Sequence, residues 1–252
     1  MGTTVYLAPA QARARQAVQA VPTGKAAALI DMTGYWVSIV DEDWRWRMLT
    51  PPKGDYASIP LNPQGRKVAD TWDLAKDDAE GNQCRAYGAA GIMRIPTRLH
   101  ITWADDNALR MDADAGMQTR LFHFDGPKWR GTKPTWQGDS VAKWEKQPQE
   151  RGVSTRFFAG AEPGKGGTLH VVTTHMRPGY YRKNGVPYGE NAVLIEYFDR
   201  IDQDDQSYLI VTTVVQDPQY LDDEFVTSEQ FVRERDGSKW NPTPCSTDKP
   251  AR

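Results

Sequence analysis

Three segments in the second half of the chain alternate apolar and polar residues with a period of two: TLHVVTTHM (168–176), NAVLIEYFDRI (191–201) and SYLIVTTVVQDP (207–218). A period of two sends successive side chains to opposite faces of a strand. In the first segment it places Leu169, Val171, Thr173 and His175 on one face, so a polar pair continues an aliphatic row. This pattern predicts a mainly β chain: an antiparallel lipocalin-like barrel, or a strongly curved sandwich, with a partly polar interior and one or two short helices. Further strands are read at TGYWVSIV (33–40), LHITW (99–103), ALRMDA (108–113), MQTRLFHF (117–124) and SVAKWEKQ (140–147). The turns of the middle three, ADDN and DAG, hold residues that tolerate tight backbone geometry. The alternation runs on through DEDWRWRMLTP (41–51), which predicts a strand with Trp44 and Trp46 on a buried face and Arg45 and Arg47 on a solvated one.

Helical signals are few. The Ala-rich stretch 9–20 opens with a proline and predicts a short N-terminal helix. Asn62 and Pro63 supply a cap and a first-turn proline, and an apolar face through Val68, Trp72 and Ala75 predicts a helix near 63–79. CRAYGAAGIMRIP (84–96) reads as a loop or short strand. The stretch 124–137 reads as a packed surface excursion and 148–167, with five glycines, as a mobile loop. Residues 177–190, rich in Tyr, Arg and Gly, read as a second surface loop able to gate a pocket. The organisation expected is an N-terminal helical arm over 1–30 and a single barrel domain over 31–252.

Charged residues are 25% of the chain, dispersed, and sum to −2, which excludes the electrostatic footprint of a nucleic-acid binder. The 39% hydrophobic share is modest, but nine Trp, ten Tyr and seven Phe can still build a core, because each ring removes on the order of 150–250 Å² from water. No apolar run approaches the ~20 residues that span a bilayer as a helix, so the chain reads as soluble. Its opening reads as a mature secreted start. Cys84 and Cys245 leave two possibilities, a disulfide or two free thiols. Paired, they would stabilise by ~4–5 kcal/mol in the chain-entropy model and require an oxidising compartment.

The order of several segments resembles an uncharacterised family of bacterial, mostly exported proteins. The pieces, over roughly 60–235, are CRAYGAAGIMRIP, a strand ending in RLFHFDG, TWQGDSVAKWE, TLHVVTTHM, an IEYFDR strand and VTTVVQDPQYLDDEFV. Thr173 stands where the family strand carries an aspartate, and Glu190-Asn191-Ala192 where it carries a His-Ser-Glu triplet. The resemblance implies a lipocalin-like barrel and a periplasmic or secreted location; it implies no activity.

The candidate chemistry is acid-base catalysis, since an ionisable group among apolar walls has its pKa moved towards working pH. His175 is the expected proton carrier, with Tyr87, Arg94 and Glu196 as polarising or orienting groups, and Glu196 is expected to pair with Arg94 or Arg120. Thr173, Arg120, Trp44, Trp46, Trp103, Tyr180 and Tyr181 are the expected ligand-binding residues. The function expected is binding of a small apolar or aromatic molecule and cofactor-independent lyase, hydratase or isomerase chemistry on it. A non-catalytic carrier or sensor of an apolar ligand is the alternative. A third reading is a periplasmic metal-binding protein, although His170 and His175 fall on opposite strand faces and could not share an ion. No nucleophile elbow, phosphate loop, dinucleotide fingerprint or zinc-protease helix occurs, and no cofactor is expected.

Overall fold

Nine strands close into a barrel in the computed structural model, which describes residues 22–131, 133–146 and 166–247. In chain order the strands are β1 (Gly34–Ile39), β2 (Arg98–Asp105), β3 (Ala108–Ala113), β4 (Ala115–Gly116), β5 (Gln118–His123), β6 (Asp139–Lys146), β7 (Gly167–Thr174), β8 (Gly179–Arg182), β9 (Val186–Tyr188), β10 (Val193–Gln203), β11 (Gln206–Gln216), β12 (Phe225–Glu234) and β13 (Thr243–Pro244). The ring runs β1-β12-β11-β10-β7-β6-β5-β3-β2. Its junctions are antiparallel except β5 to β6, which is parallel and pairs the end of β5 with the start of β6. The expected N-terminal helix at 9–20 and nearly all of the loop at 148–167 lie outside the described residues.

The inward positions follow the period of two. Leu169, Val171 and Thr173 of β7, Leu194, Glu196 and Phe198 of β10, and Leu209, Val211 and Thr213 of β11 are all buried. Trp36, Leu99, Ile101, Leu109, Met111, Phe122 and Phe231 fill the rest of the lumen with apolar volume. The polar inward residues gather towards one end, and that end is capped.

Two excursions form the cap, residues 40–97 between β1 and β2 and residues 175–192 between β7 and β10. The first holds short helices α1 (Trp44–Met48), α2 (Pro63–Ala69), α3 (Leu74–Ala79) and α4 (Ala89–Ile92). Asn62 caps α2 as expected, accepting from the Gly65 amide, but the helix expected at 63–79 is two helices. The break falls at Asp73, whose carboxylate accepts from the Ala75 and Lys76 amides and starts α3. The second excursion is the hairpin β8–β9. Its strands are buried throughout, so the expected surface loop at 177–190 is in fact a core element. Tyr181, Val186 and Tyr188 pack there with Ala69, Ala89, Ala90 and Leu194 in a second apolar cluster. Gly185 turns the hairpin at φ +83, with Trp72 seated where a Cβ would stand.

The segment 41–51 differs most from expectation. It is not a strand but a short helix entered through Asp43 at φ 49, and two of its four expected positions exchange burial. Trp44 is 63% exposed while Arg47 is 5% exposed. Arg47 is buried because its Nε finds the Arg94 carbonyl at 3.0 Å and its Nη2 finds Ser38 Oγ at 3.3 Å. Residues 84–96, expected as loop or strand, form a 3-10 turn at Arg85–Tyr87 followed by α4.

After β12 the chain climbs the outside of the barrel. Trp240 packs edge-on against Tyr35 and His100, β13 pairs in parallel with β4, and Cys245 bonds to Cys84 at a Cα separation of 5.1 Å. The disulfide clasps the C-terminal segment to the cap.

Candidate functional site

Beneath the cap lies a chain of buried polar side chains supplied by six different strands and completed by Arg94 of the cap. Arg120 of β5, 2% exposed, makes a two-pronged contact with Glu196 of β10, which is fully buried. The Arg120 Nη2 also donates to Thr173 Oγ1 at 3.2 Å, and Thr173 exchanges a hydrogen bond with Ser140. Thr213, directly across from Glu196 in the ladder, donates to Glu229 at 3.4 Å. Glu229 meets Arg94 at 3.3 Å, and Arg94 reaches out of the barrel to Asp43 at 2.7 Å. The order of residues thus leads from the barrel wall at Ser140 to the underside of α1.

Burial raises the Glu229 carboxyl above its ordinary value, with the Glu196 charge adding to the rise and Arg94 opposing it. A carboxyl with a raised native pKa binds its proton more tightly folded than unfolded. Its contribution to stability is therefore greatest below about 4.5, the unfolded value, and is lost as pH rises through the native value. Urea unfolding over a pH series should show the wild type losing stability relative to Glu229→Gln as pH climbs from 4.5. Parallel curves would show a carboxyl with an ordinary pKa.

Above this layer the cap encloses a cavity of about 190 Å³. Trp46, Met48 and Leu49 from α1 and its exit, Ile95 and Pro96 after α4, and Ala86 supply apolar wall. Met48 and Leu49 are exposed at the rim beside Trp44. Four cations line the same space: Arg47, Arg94, Arg182 and Lys183. Arg182 lies over the Trp46 ring at 5.5 Å and donates to the carbonyls of Asp55 and Ala57 and to Ser58 Oγ. Burial, with the Arg94 charge nearby, lowers its pKa to about 10. Burial likewise pulls Arg47 down. Lys183 Nζ donates to the Tyr87 hydroxyl at 2.6 Å, which itself donates to the Ser246 carbonyl at 3.3 Å.

The candidates read from sequence are divided by this geometry. Arg94, Trp46 and Tyr181 line the cavity. Tyr181 turns its hydroxyl away to Asp217 at 3.1 Å, and its pKa is raised by burial and by that carboxylate. Tyr87 meets the cavity only through Lys183. Glu196, Arg120 and Thr173 belong to the polar layer below, and Glu196 has Arg120 as its partner. Tyr180 is tied to Asp77 at 2.9 Å, Trp103 packs against Phe124 towards the other end of the barrel, and Trp44 faces outward. His175 is not in line with Thr173: β7 ends at Thr174, and His175 adopts φ 58 with its ring 4.8 Å from that of Trp129.

The other histidines have separate neighbours, His100 stacked on Tyr35 and His170 on Tyr197. Among the described residues no three His, Cys, Asp or Glu side chains gather as a metal site. Among the described residues no helix is long and apolar enough to cross a membrane. Arg47, Thr50, Arg182 and Lys183 are the polar cavity residues that sequence reasoning overlooked, along with the apolar wall at Met48, Leu49, Ala86, Ile95 and Pro96. The aromatic-basic composition of 177–190 was the available signal for the last two. No protein-family model matches the chain, no curated protein matches it, and no solved structure matches it.

Proposed function

We propose that this chain is an exported binding protein for a small molecule with an apolar or aromatic body, held at the capped end of the barrel. The observation that carries the reading is the cavity itself, enclosed between α1, the turn after α4 and β8, with a half-exposed tryptophan and aliphatic side chains on its wall. Its volume of about 190 Å³ is below the roughly 300–1,000 Å³ of pockets for drug-sized ligands, so the occupant is a single ring or a short chain. Binding rather than turnover is favoured because His175, Tyr87 and Glu196 stand outside the cavity wall and Glu196 is already neutralised. The Cys84–Cys245 bond supports an oxidising compartment, in keeping with the family resemblance.

The test is calorimetric titration of the full chain with monocyclic aromatic probes. Trp46→Ala should weaken binding by about tenfold, the equivalent of ~1.4 kcal/mol. The unfolding midpoint should stay close to that of the wild type, since Trp46 is only half-buried. Undiminished affinity in this variant would place the ligand elsewhere.

A further inference from the structure

We infer that the ligand of this cavity is an anion, a small carboxylate on an apolar body, with its charged group held by Arg47 and Arg182. The inference rests on the binding reading above and names the chemical class of the occupant. Arg47 and Arg182 are 5% and 6% exposed, and both border the cavity. Their hydrogen bonds go to neutral groups: the Arg94 carbonyl and Ser38 for one, the Asp55 and Ala57 carbonyls and Ser58 for the other. Each retains a buried nitrogen with no partner, Nη1 of Arg47 and Nε of Arg182, and the buried Thr50 hydroxyl beside them has none either.

Buried guanidiniums without an adjoining carboxylate are expensive to maintain, and an anion delivered to them offsets that expense. The neighbouring carboxylates are engaged elsewhere. Asp43 and Glu229 hold Arg94, while Asp55 holds Arg45 at 2.7 Å and accepts from the Trp46 indole. Glu229 is the strongest of the carboxylates acting on Arg47, ahead of the exposed Asp41 and Glu42, and Asp43 and Asp55 act on Arg182, but among the described residues none of them stands at ion-pair distance from either arginine. The cavity wall therefore carries more positive charge than its carboxylate partners cancel. A guanidinium fork matches the planar geometry of a carboxylate, and the aliphatic and indole wall selects an apolar body over a bare hydrated ion.

The experiment is calorimetric titration of the full chain at low salt with phenylacetate, phenylacetamide and inorganic phosphate. Phenylacetate should bind at least tenfold more tightly than the isosteric amide and than phosphate. Arg182→Met should remove that preference, lowering affinity for phenylacetate at least tenfold relative to the amide measured on the same variant, with folding checked by circular dichroism. If that variant does not fold, Arg182→Lys, which keeps the charge without the fork, should shrink the preference in the same direction. Equal affinity for acid and amide would overturn the anion inference and leave the binding reading standing. Phosphate binding more tightly than phenylacetate would overturn it in favour of a simple oxyanion site. Absence of binding by all three would overturn both.

Discussion

Glu196→Ala should destabilise the protein by about 3–5 kcal/mol, the range found when one member of a buried ion pair is deleted. The loss of two hydrogen bonds accounts for little of this. The main cost is Arg120, 2% exposed, left charged in the lumen with only the hydroxyls of Thr173 and Ser140 nearby. Its Nε already lacks a partner in the intact protein, so the site has no spare acceptor to offer. Replacing both partners, Arg120→Met with Glu196→Leu, removes the charge as well as its counter-charge. The double variant should therefore be markedly more stable than the single one, to within roughly 1–2 kcal/mol of the wild type. Guanidinium unfolding of the wild type, the single variant and the double variant measures both numbers. A loss below about 1 kcal/mol for Glu196→Ala would show that water reaches and solvates Arg120.

Removing the Cys84–Cys245 bond should lower stability by up to about 4–5 kcal/mol, since the bond closes a loop across a sequence separation of 161. The bond ties two parts of the molecule that hold one another weakly without it. The C-terminal segment contributes a two-residue parallel pairing at β13, the Ser246 carbonyl beneath Tyr87, and the Thr247 hydroxyl on Asp78. The cap contributes the turn bearing Tyr87, which in turn positions Lys183. Thermal unfolding of the Cys84→Ser, Cys245→Ser variant should show a lowered midpoint, and limited proteolysis should cut near the C-terminus before the barrel is attacked. An unchanged midpoint with a readily cleaved tail would confine the role of the bond to that segment.

The barrel strands were legible because a wall with one face inward imposes a period of two, and the ladders at 99–113, 168–174 and 191–216 obey it. The strand β12 was harder to find. Its inward row reads Phe225, Thr227, Glu229 and Phe231, so a buried carboxylate interrupts the apolar signal. The error at 41–51 has the same origin. The Trp-Arg-Trp-Arg pattern reads with tryptophan inside, whereas Arg47 is buried through hydrogen bonds to Arg94 and Ser38, groups outside the segment. His175 was misplaced by one residue of chain: alternation assigns it inward, and a left-handed backbone at that position, invisible to patterning, ends the strand before it. The pairing of Glu196 with Arg120 was among the two expected, because both lie at inward strand positions. Trp46, Arg94 and Tyr181 were among the expected site residues, but the cavity they share was not legible, since its walls come from α1, the turn after α4 and β8, which only the closed cap brings together.

A ring whose neighbours all run in opposite directions must contain an even number of strands, or the alternation cannot return to its starting sense. With nine strands the parity fails once, and here it fails between β5 and β6. That junction pairs only Phe122 with Ser140 and His123 with Val141, while β10 and β11 pair over eleven positions. The barrel is therefore a continuous strip, β6 at one margin and β5 at the other, stitched along its shortest ladder. Such a seam depends on contacts distant in sequence and closes late in folding. Its amides should exchange with solvent ahead of those in β10 and β11, and lateral breathing of the wall begins where Arg120 and Ser140 face the lumen.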